Sequence, residues 1–495
     1  MPKVSRESWI VVLAFGAMLF TRTPVAASRC DHLLGLLGQQ ITDESCVESS
    51  DLTTNNPATT PPNDSLPGLP PFAFTPQTDR EVISPSAPNR TPITKAVPGI
   101  QLDARISDDP TGEARILFRL PAQWNGKLVV AGASGTRSEF NGDFAWSDYV
   151  VQQGYAYVSQ NKGVLNLYLT TAADPLSCRL NPSSAVFVHF YDNDPGQPFT
   201  RWTDFMLEAT RIGKNAVTAN YGRPPSRTYA VGTSNGGYQV RRALEAAPEL
   251  FDGGVDWEGT YVDPVAPNLL SALPPAILNY LDYATSGFDA NSTAAKNIVV
   301  AGYPPDLVSG TTSFWGLYSA QFWEVTLCQW QKRLDPTYDT FGSGTGTYKY
   351  VARLSASDVG SNLADIATTG EIGRPLITVA GTMDGLLSIN LHARAYARAV
   401  AAAFPERSEE GDHQRRPHPA YRLYEVQNGN HIETYKDAFP QQLEFIEPHA
   451  QRAFDLLVNS VEHGSDLPPD QCIPRGGSIT PSPAEAGHCT DLFVR

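Results

Sequence analysis

The chain lacks the short signatures that announce a cofactor. No GxGxxG opens a helix after a strand, and the one Gly-rich loop, Gly342-Ser-Gly-Thr-Gly346, has no phosphate-binding lysine. No HExxH or CxxC spacing offers a zinc site, so neither cofactor nor metal is expected. The acidic run Asp192-Asn193-Asp194 reads as a solvated loop, not as a calcium or glycosidase site. Positive charge is scarce as well: 37 Lys and Arg stand against 52 Asp and Glu, for a net charge of −15. Such a surface repels nucleic acid and anionic membranes, so the expected partners are small neutral molecules. Beyond the first few dozen residues, no run is long and apolar enough to cross a bilayer.

What is present begins with Lys3 and Arg6, an uncharged stretch from Trp9 to Phe20, and the small-residue exit Pro24-Val-Ala-Ala27. That pattern predicts a secretory signal over 1–27 and a secreted, extracellular or periplasmic protein. Losing Lys3, Arg6, Arg22 and Glu7, a net +2, would take the charge from −15 to −17. Six cysteines in an exported chain suggest three disulfides. Proximity favours Cys30–Cys46 and Cys472–Cys489, leaving Cys178–Cys328, although six cysteines permit fifteen pairings. A short helix over His32–Gln40 and a Pro-rich connection over 52–98 complete an N-terminal segment spanning 28–98. Asn63, Asn89 and Asn291 head glycosylation sequons, which matter only in a eukaryotic host.

From Ile100 the pattern becomes regular. Gln101–Ile106 and Ala114–Leu120 alternate across Asp108-Asp-Pro-Thr-Gly112, which predicts a hairpin. Lys127–Ala131, Tyr155–Ser159, Tyr229–Val231, Gly253–Glu258, Pro375–Ala380 and Tyr421–Val426 read as further strands. Helices are expected over 146–153, 202–221, 238–247 and 441–461. This alternation predicts an α/β fold with a mostly parallel central sheet flanked by helices. The rhythm breaks over 264–370, read as an inserted cap. It divides the core into 99–263 and 371–465, and a Cys-bounded tail follows over 466–495. Within the insertion Trp315, Tyr318, Phe322 and Trp323 are candidates for substrate contact, with internal packing as the alternative.

The densest chemical signal is Gly232-Thr-Ser234-Asn-Gly236, which follows a strand and opens a helix. The sharp turn this requires leaves no room for a Cβ on either side of the serine, and it lifts the hydroxyl clear of the sheet. A serine nucleophile needs a base, and the base needs a carboxylate to fix its tautomer. Two later strands end in Gly381-Thr-Met-Asp384-Gly and Gln427-Asn-Gly-Asn-His431, which supplies Asp384 and His431 in the order this fold demands. Oxyanion donors are expected from the N–H of Asn235 and from the small-residue loop at Ser134 and Gly135.

With those residues placed, the chain resembles the secreted α/β-hydrolases of the 3-hydroxybutyrate oligomer hydrolase family. The likeness runs from about Leu117 to Gly476. It rests on Ser134-Gly-Thr-Arg137, Tyr155-Ala-Tyr-Val-Ser-Gln-Asn-Lys-Gly163, Ser234-Asn-Gly-Gly237, Tyr424-Glu-Val-Gln-Asn-Gly-Asn-His431 and Leu467-Pro-Pro-Asp-Gln471. A more distant resemblance to tannases and feruloyl esterases comes through Ala219-Asn-Tyr-Gly222. The resemblance implies ester hydrolysis through an acyl-enzyme, with Ser234 as nucleophile, His431 as base and Asp384 as its partner. Tannase-like enzymes carry cysteines beside the serine and the histidine. Here Thr233 and Asn430 or Ile432 stand there, which weakens the case for a phenolic ester. The leading expectation is a secreted serine esterase acting on short hydroxybutyrate oligomers. A phenolic esterase and a non-catalytic binding protein of the same fold are the alternatives.

Overall fold

In a computed structural model the described residues are 28–56, 91–135, 138–140, 142–163, 165–191, 199–338, 348–405 and 419–495. The expected signal segment over 1–27, most of the Pro-rich connection, the 192–194 run, the 342–346 loop, Asn63 and Asn89 lie outside them. Among the described residues the main sheet has ten strands. In chain order they are β1 (Ile41–Ser49), β2 (Gly99–Ile106), β3 (Arg115–Pro121), β4 (Lys127–Gly132) and β5 (Ala156–Gln160). Then come β6 (Arg227–Thr233), β7 (Gly253–Trp257), β8 (Leu376–Gly381), β9 (Tyr421–Val426) and β10 (Gln471–Ile473). Their spatial order is β1-β2-β3-β5-β4-β6-β7-β8-β9-β10. The first three pairings are antiparallel and the rest parallel. The strand crossover at β5-β4 and the parallel run beyond it make this an α/β-hydrolase fold.

The central strands read as near-continuous apolar runs because helices cover both faces. Every residue of β8 is buried, and all of β4 except its first. One face is closed by α1 (Arg29–Leu37), joined by α3 (Thr200–Tyr221) and α4 (Asn235–Ala246), and the opposite face by α2 (Asp148–Val151) and the helix over Glu447–His463. The predicted hairpin is held by its turn. Asp109 accepts from the N–H of Glu113 (2.8 Å) and Ala114 (2.7 Å), and Gly112 takes a φ of +68°.

Several elements depart from the sequence reading. The first helix starts earlier, at Arg29, because the Ser28 hydroxyl caps it by accepting from the Asp31 N–H at 3.1 Å. β1 carries too few apolar residues to show in the pattern. Backbone pairing with β2 and the Cys30–Cys46 bridge hold it at the sheet edge. The helix expected at 146–153 is instead a π turn, Asp143–Ser147, running into the short α2. A three-stranded sheet of Leu165–Thr170, Cys178–Arg179 and Phe187–Tyr191 was not anticipated, and neither was β10 in the tail.

Between β7 and β8 the chain forms α5 (Leu269–Thr285), α6 (Thr293–Val300), α7 (Phe314–Gln321), α8 (Trp323–Leu334), α9 (Tyr350–Leu354) and α10 (Val359–Asp365). These helices contribute Leu273, Trp315, Trp323 and Trp330 to an apolar cluster that also takes in Val188 of the small sheet, Trp202 of α3, Tyr238 of α4, and Met383 and Tyr435 from the loops after β8 and β9. The fold is then completed by α11 (Ala393–Ala403) and α12 (Glu447–His463), and Pro448 in the first turn of α12 sets its start. The described residues hold three disulfides, Cys30–Cys46, Cys178–Cys328 and Cys472–Cys489. The second ties the small sheet to α8.

The bridges differ in the length of chain they close. Cys178–Cys328 spans 150 residues, and Cys30–Cys46 spans 16. Loop-closure entropy assigns them about 5 and about 3 kcal/mol respectively. Replacing both cysteines of each pair by serine should therefore lower the melting temperature more for Cys178/Cys328 than for Cys30/Cys46, and differential scanning calorimetry of the two double variants checks that order.

Candidate active site

β6 feeds α4 through a turn with no spare volume. Ser234 adopts φ +57°, a conformation that strains any side-chain-bearing residue. A Cβ on Gly232 would come within 2.3 Å of the Gly236 carbonyl oxygen, and one on Gly236 within 2.5 Å of the Gly132 oxygen. The glycines thus let the first turn of α4 press against β4, and the Ser234 N–H donates to Trp257 O at 2.9 Å. Ser234 itself is only 8% exposed.

The loops after β8 and β9 bring the other two residues to it. His431 Nε2 lies 3.1 Å from Ser234 Oγ, and His431 Nδ1 lies 2.8 Å from Asp384 Oδ2. The second Asp384 oxygen accepts from the N–H of Leu386 (2.7 Å) and Leu387 (2.6 Å). A carboxylate fixed in this way directs a proton to Nδ1 and leaves Nε2 to accept from the serine hydroxyl. Burial opposes a charged imidazole, but Asp384 and then Glu258 outweigh it and raise the His431 pKa.

Glu258, at the end of β7, escaped the sequence reading. Its Oε2 stands 3.3 Å from His431 Nδ1, and its pKa is pushed up by burial and by the neighbouring Asp384. One atom each from Glu258, Asp384 and His431 lies within 4.8 Å of the others, the one grouping of metal-holding spacing among the described residues. The Asp384 and His431 atoms bond to each other there, and the imidazole also contacts the serine. The signal that points to Glu258 is a carboxylate at the carboxyl end of the strand beside the serine's own.

The loop after β4 is held from behind. The Ala133 N–H donates to Gln239 Oε1 at 3.0 Å, and Lys162 Nζ donates to the carbonyls of Ala133 (3.0 Å) and Ser134 (3.3 Å). Lys162 is fully buried. A cation that gathers two successive carbonyls fixes how the peptides around Ser134 and Gly135 face, and Gly135 completes the turn with φ +42°. Asn235 opens α4 directly after the serine, and its side-chain oxygen accepts from Thr260 Oγ1 at 3.1 Å. Lys162 and Gln239 were not singled out from sequence. Their roles depend on β5 and α4 both lying against β4, which spacing does not reveal.

Of the four aromatic candidates, three are packed inside the protein, which is the alternative their sequence left open. Trp315, Tyr318 and Trp323 are buried to 1% exposure or less, so they do not line an open surface. Their polar atoms are engaged internally. Trp315 Nε1 donates to Pro304 O (3.0 Å), Tyr318 OH to Asn430 Oδ1 (2.5 Å), and Trp323 Nε1 to Gly385 O (2.7 Å). Two of these bonds brace the residues adjoining His431 and Asp384. Phe322 alone of the four stays partly exposed.

These features define an α/β-hydrolase with a serine, an imidazole and a carboxylate in hydrogen-bond sequence. A model of the 3HB-oligomer hydrolase (3HBOH) family matches residues 333–491, a stretch that includes Asp384 and His431. The chain thus resembles that family. Over 132 residues it is 29% identical to a D-(-)-3-hydroxybutyrate oligomer hydrolase of Burkholderia thailandensis, covering 26% of this chain and 17% of that protein. Over 141 residues it is 27% identical to a mono(2-hydroxyethyl) terephthalate hydrolase of Piscinibacter sakaiensis, covering 28% of this chain and 22% of the relative. The matches therefore span about a fifth of the length of these curated relatives. Among solved structures, an esterase from Aspergillus oryzae aligns at TM-score 0.47 and 15% identity, over 88% of this chain and 90% of that one. Feruloyl esterase B from the same organism aligns at TM-score 0.45 and 13% identity, over 86% and 87%.

The glycine packing predicts a contrast. Gly236→Ala forces a methyl against backbone and should cost about 1–3 kcal/mol. Gly35→Ala on α1, with nothing within 4 Å of the new methyl, should be neutral or stabilise by up to about 1 kcal/mol. Thermal melts of the two variants read the difference.

Proposed function

We propose that the chain is a serine carboxylic-ester hydrolase that works through an acyl-enzyme, with Ser234, His431 and Asp384 as its catalytic residues. The observation that carries this reading is the unbroken sequence Ser234 Oγ to His431 Nε2 (3.1 Å) and His431 Nδ1 to Asp384 Oδ2 (2.8 Å). Ser234 attacks the ester carbonyl while its proton passes to His431 Nε2, and Asp384 stabilises the resulting imidazolium. The N–H groups of Asn235 and of the Ser134–Gly135 loop bind the oxyanion. His431 then donates its proton to the departing alcohol. Water, activated in the same way, breaks the acyl-serine bond to free the acid and restore the hydroxyl. The base must be neutral to act, so activity should rise with pH through the raised His431 pKa.

Short oligomers of 3-hydroxybutyrate, or of a related hydroxy acid, are the substrate class we favour. The family match over 333–491 supports it. A phenolic or aromatic ester is the second reading, supported by the terephthalate-ester relative. Thr233 and Asn430 or Ile432 stand where the tannase-like cysteine clamp would be, which counts against a tannase in particular. We read 264–370 as a cap over the site. Three disulfides favour export to an oxidising compartment, as does the signal-like start.

Ser234→Ala should reduce hydrolysis of 4-nitrophenyl butyrate by about 10⁴-fold or more without loss of fold. Undiminished turnover in that variant would remove the mechanism. Initial rates on hydroxybutyrate trimer, mono(2-hydroxyethyl) terephthalate, methyl gallate and methyl ferulate then rank the substrate classes, with the trimer expected first.

A further inference from the structure

Glu258 occupies a position where a long side chain is costly. Its φ of +52° lies in the left-handed region that favours glycine. The turn is imposed by its surroundings. The Glu258 N–H donates to Val379 O at 2.9 Å, and Asp256 accepts from the Gly259 N–H at 2.7 Å. Asp256 is fixed in turn by Arg241 Nε (2.5 Å) and Thr378 Oγ1 (2.9 Å).

The carboxyl group of this strained residue is buried, at 2% exposure. Oε1 accepts from the Gly381 N–H at 2.9 Å. Oε2 has no hydrogen-bond partner among the described residues and stands 3.3 Å from His431 Nδ1. An alanine there would avoid the buried charge, and a glycine would avoid the backbone strain as well. Packing alone therefore does not account for a glutamate at this place.

We propose that Glu258 is a second carboxyl partner of His431, sharing with Asp384 the charge that appears on the imidazole when Ser234 gives up its proton, and able to orient the ring when Asp384 cannot. The proposal rests on the catalytic reading above. Asp384 is the nearer acceptor and its other oxygen is locked by two backbone N–H groups, so it remains the primary partner. Glu258 approaches the same nitrogen from β7 and acts as a positioning residue. The ionisable groups that face it are Asp384 after β8, His431 and Glu433 after β9, and the Tyr318 phenol on α7. Two carboxyls beside one imidazole raise its affinity for a proton, and removing either lowers it.

The test is the pH dependence of kcat/KM for 4-nitrophenyl butyrate in Glu258→Gln, Glu258→Asp, Asp384→Asn and the double variant Glu258→Gln/Asp384→Asn, with melting temperatures measured alongside. In Glu258→Gln the acidic limb should move to lower pH by about half a unit to one unit, because the imidazolium loses a negative neighbour. Asp384→Asn should retain residual activity, and adding Glu258→Gln should lower it at least a further tenfold. An unmoved limb in Glu258→Gln, together with a double variant no worse than Asp384→Asn, overturns the proposal even if the melting temperature falls. Should Glu258→Gln fail to fold, Glu258→Asp keeps the charge but draws it back. A smaller shift in the same direction then supports the proposal, and an unmoved limb overturns it. Ser234→Ala separates the two failures. If that variant stays active the catalytic reading falls, and if it is inactive while the limb stays fixed only the role of Glu258 falls.

Discussion

One buried imidazole has to satisfy opposing demands, and the surrounding architecture follows from them. His431 Nε2 lies 3.1 Å from Ser234 Oγ while Nδ1 is held by a carboxylate at 2.8 Å. Burial penalises the imidazolium, so negative charge has to be placed close by to permit it. Parallel strands meet that requirement economically. Neighbouring strands β6, β7, β8 and β9 all end at the same edge of the sheet, which brings Ser234, Glu258, Asp384 and His431 together although they are far apart in sequence. Four loops converge because four adjacent strands point the same way.

The loops themselves are kept in place from outside the sheet. Tyr318 on α7 bonds to Asn430, next to His431, and Trp323 on α8 bonds to the Gly385 carbonyl, next to Asp384. Each such bond contributes about 1 kcal/mol, and burial of the rings that carry them contributes more. A Cβ on Gly385 would meet the Tyr318 ring at 2.5 Å, so this contact is close-packed. The tannase resemblance implies a disulfide between the residues beside the serine and the histidine. Here Thr233 and Asn430 or Ile432 hold those places, and ring packing from α7 and α8 secures the acid and histidine loops.

How much of this was legible in the sequence depended on whether the signal was local. The serine turn could be named because Gly232 and Gly236 are demanded by contacts within one strand-turn-helix unit. Asp384 and His431 could be named because each lies on the loop that follows a strand legible in the sequence, Leu376–Gly381 and Tyr421–Val426. β1 and β10 were invisible, since one is largely exposed and the other is three residues long, so neither carries periodicity. Glu258 and Lys162 were missed for another reason. What each touches is decided by which strands become neighbours, β7 beside β8 and β4 beside β5, and no spacing along the chain encodes that. The aromatics between β7 and β8 read as a cluster in the sequence and pack as one. Which way each ring faces was not readable, and three of them face inward.

The central claim is that Ser234 becomes covalently acylated during turnover, and the most direct measurement is an acid quench of the enzyme in the first turnovers of 4-nitrophenyl butyrate, followed by peptide mapping. A butyryl mass on the peptide carrying Ser234, appearing with a burst of 4-nitrophenol and absent when Ser234 is replaced, is the result this account predicts. Steady hydrolysis with no acylated peptide, or with the acyl group on another residue, would contradict it.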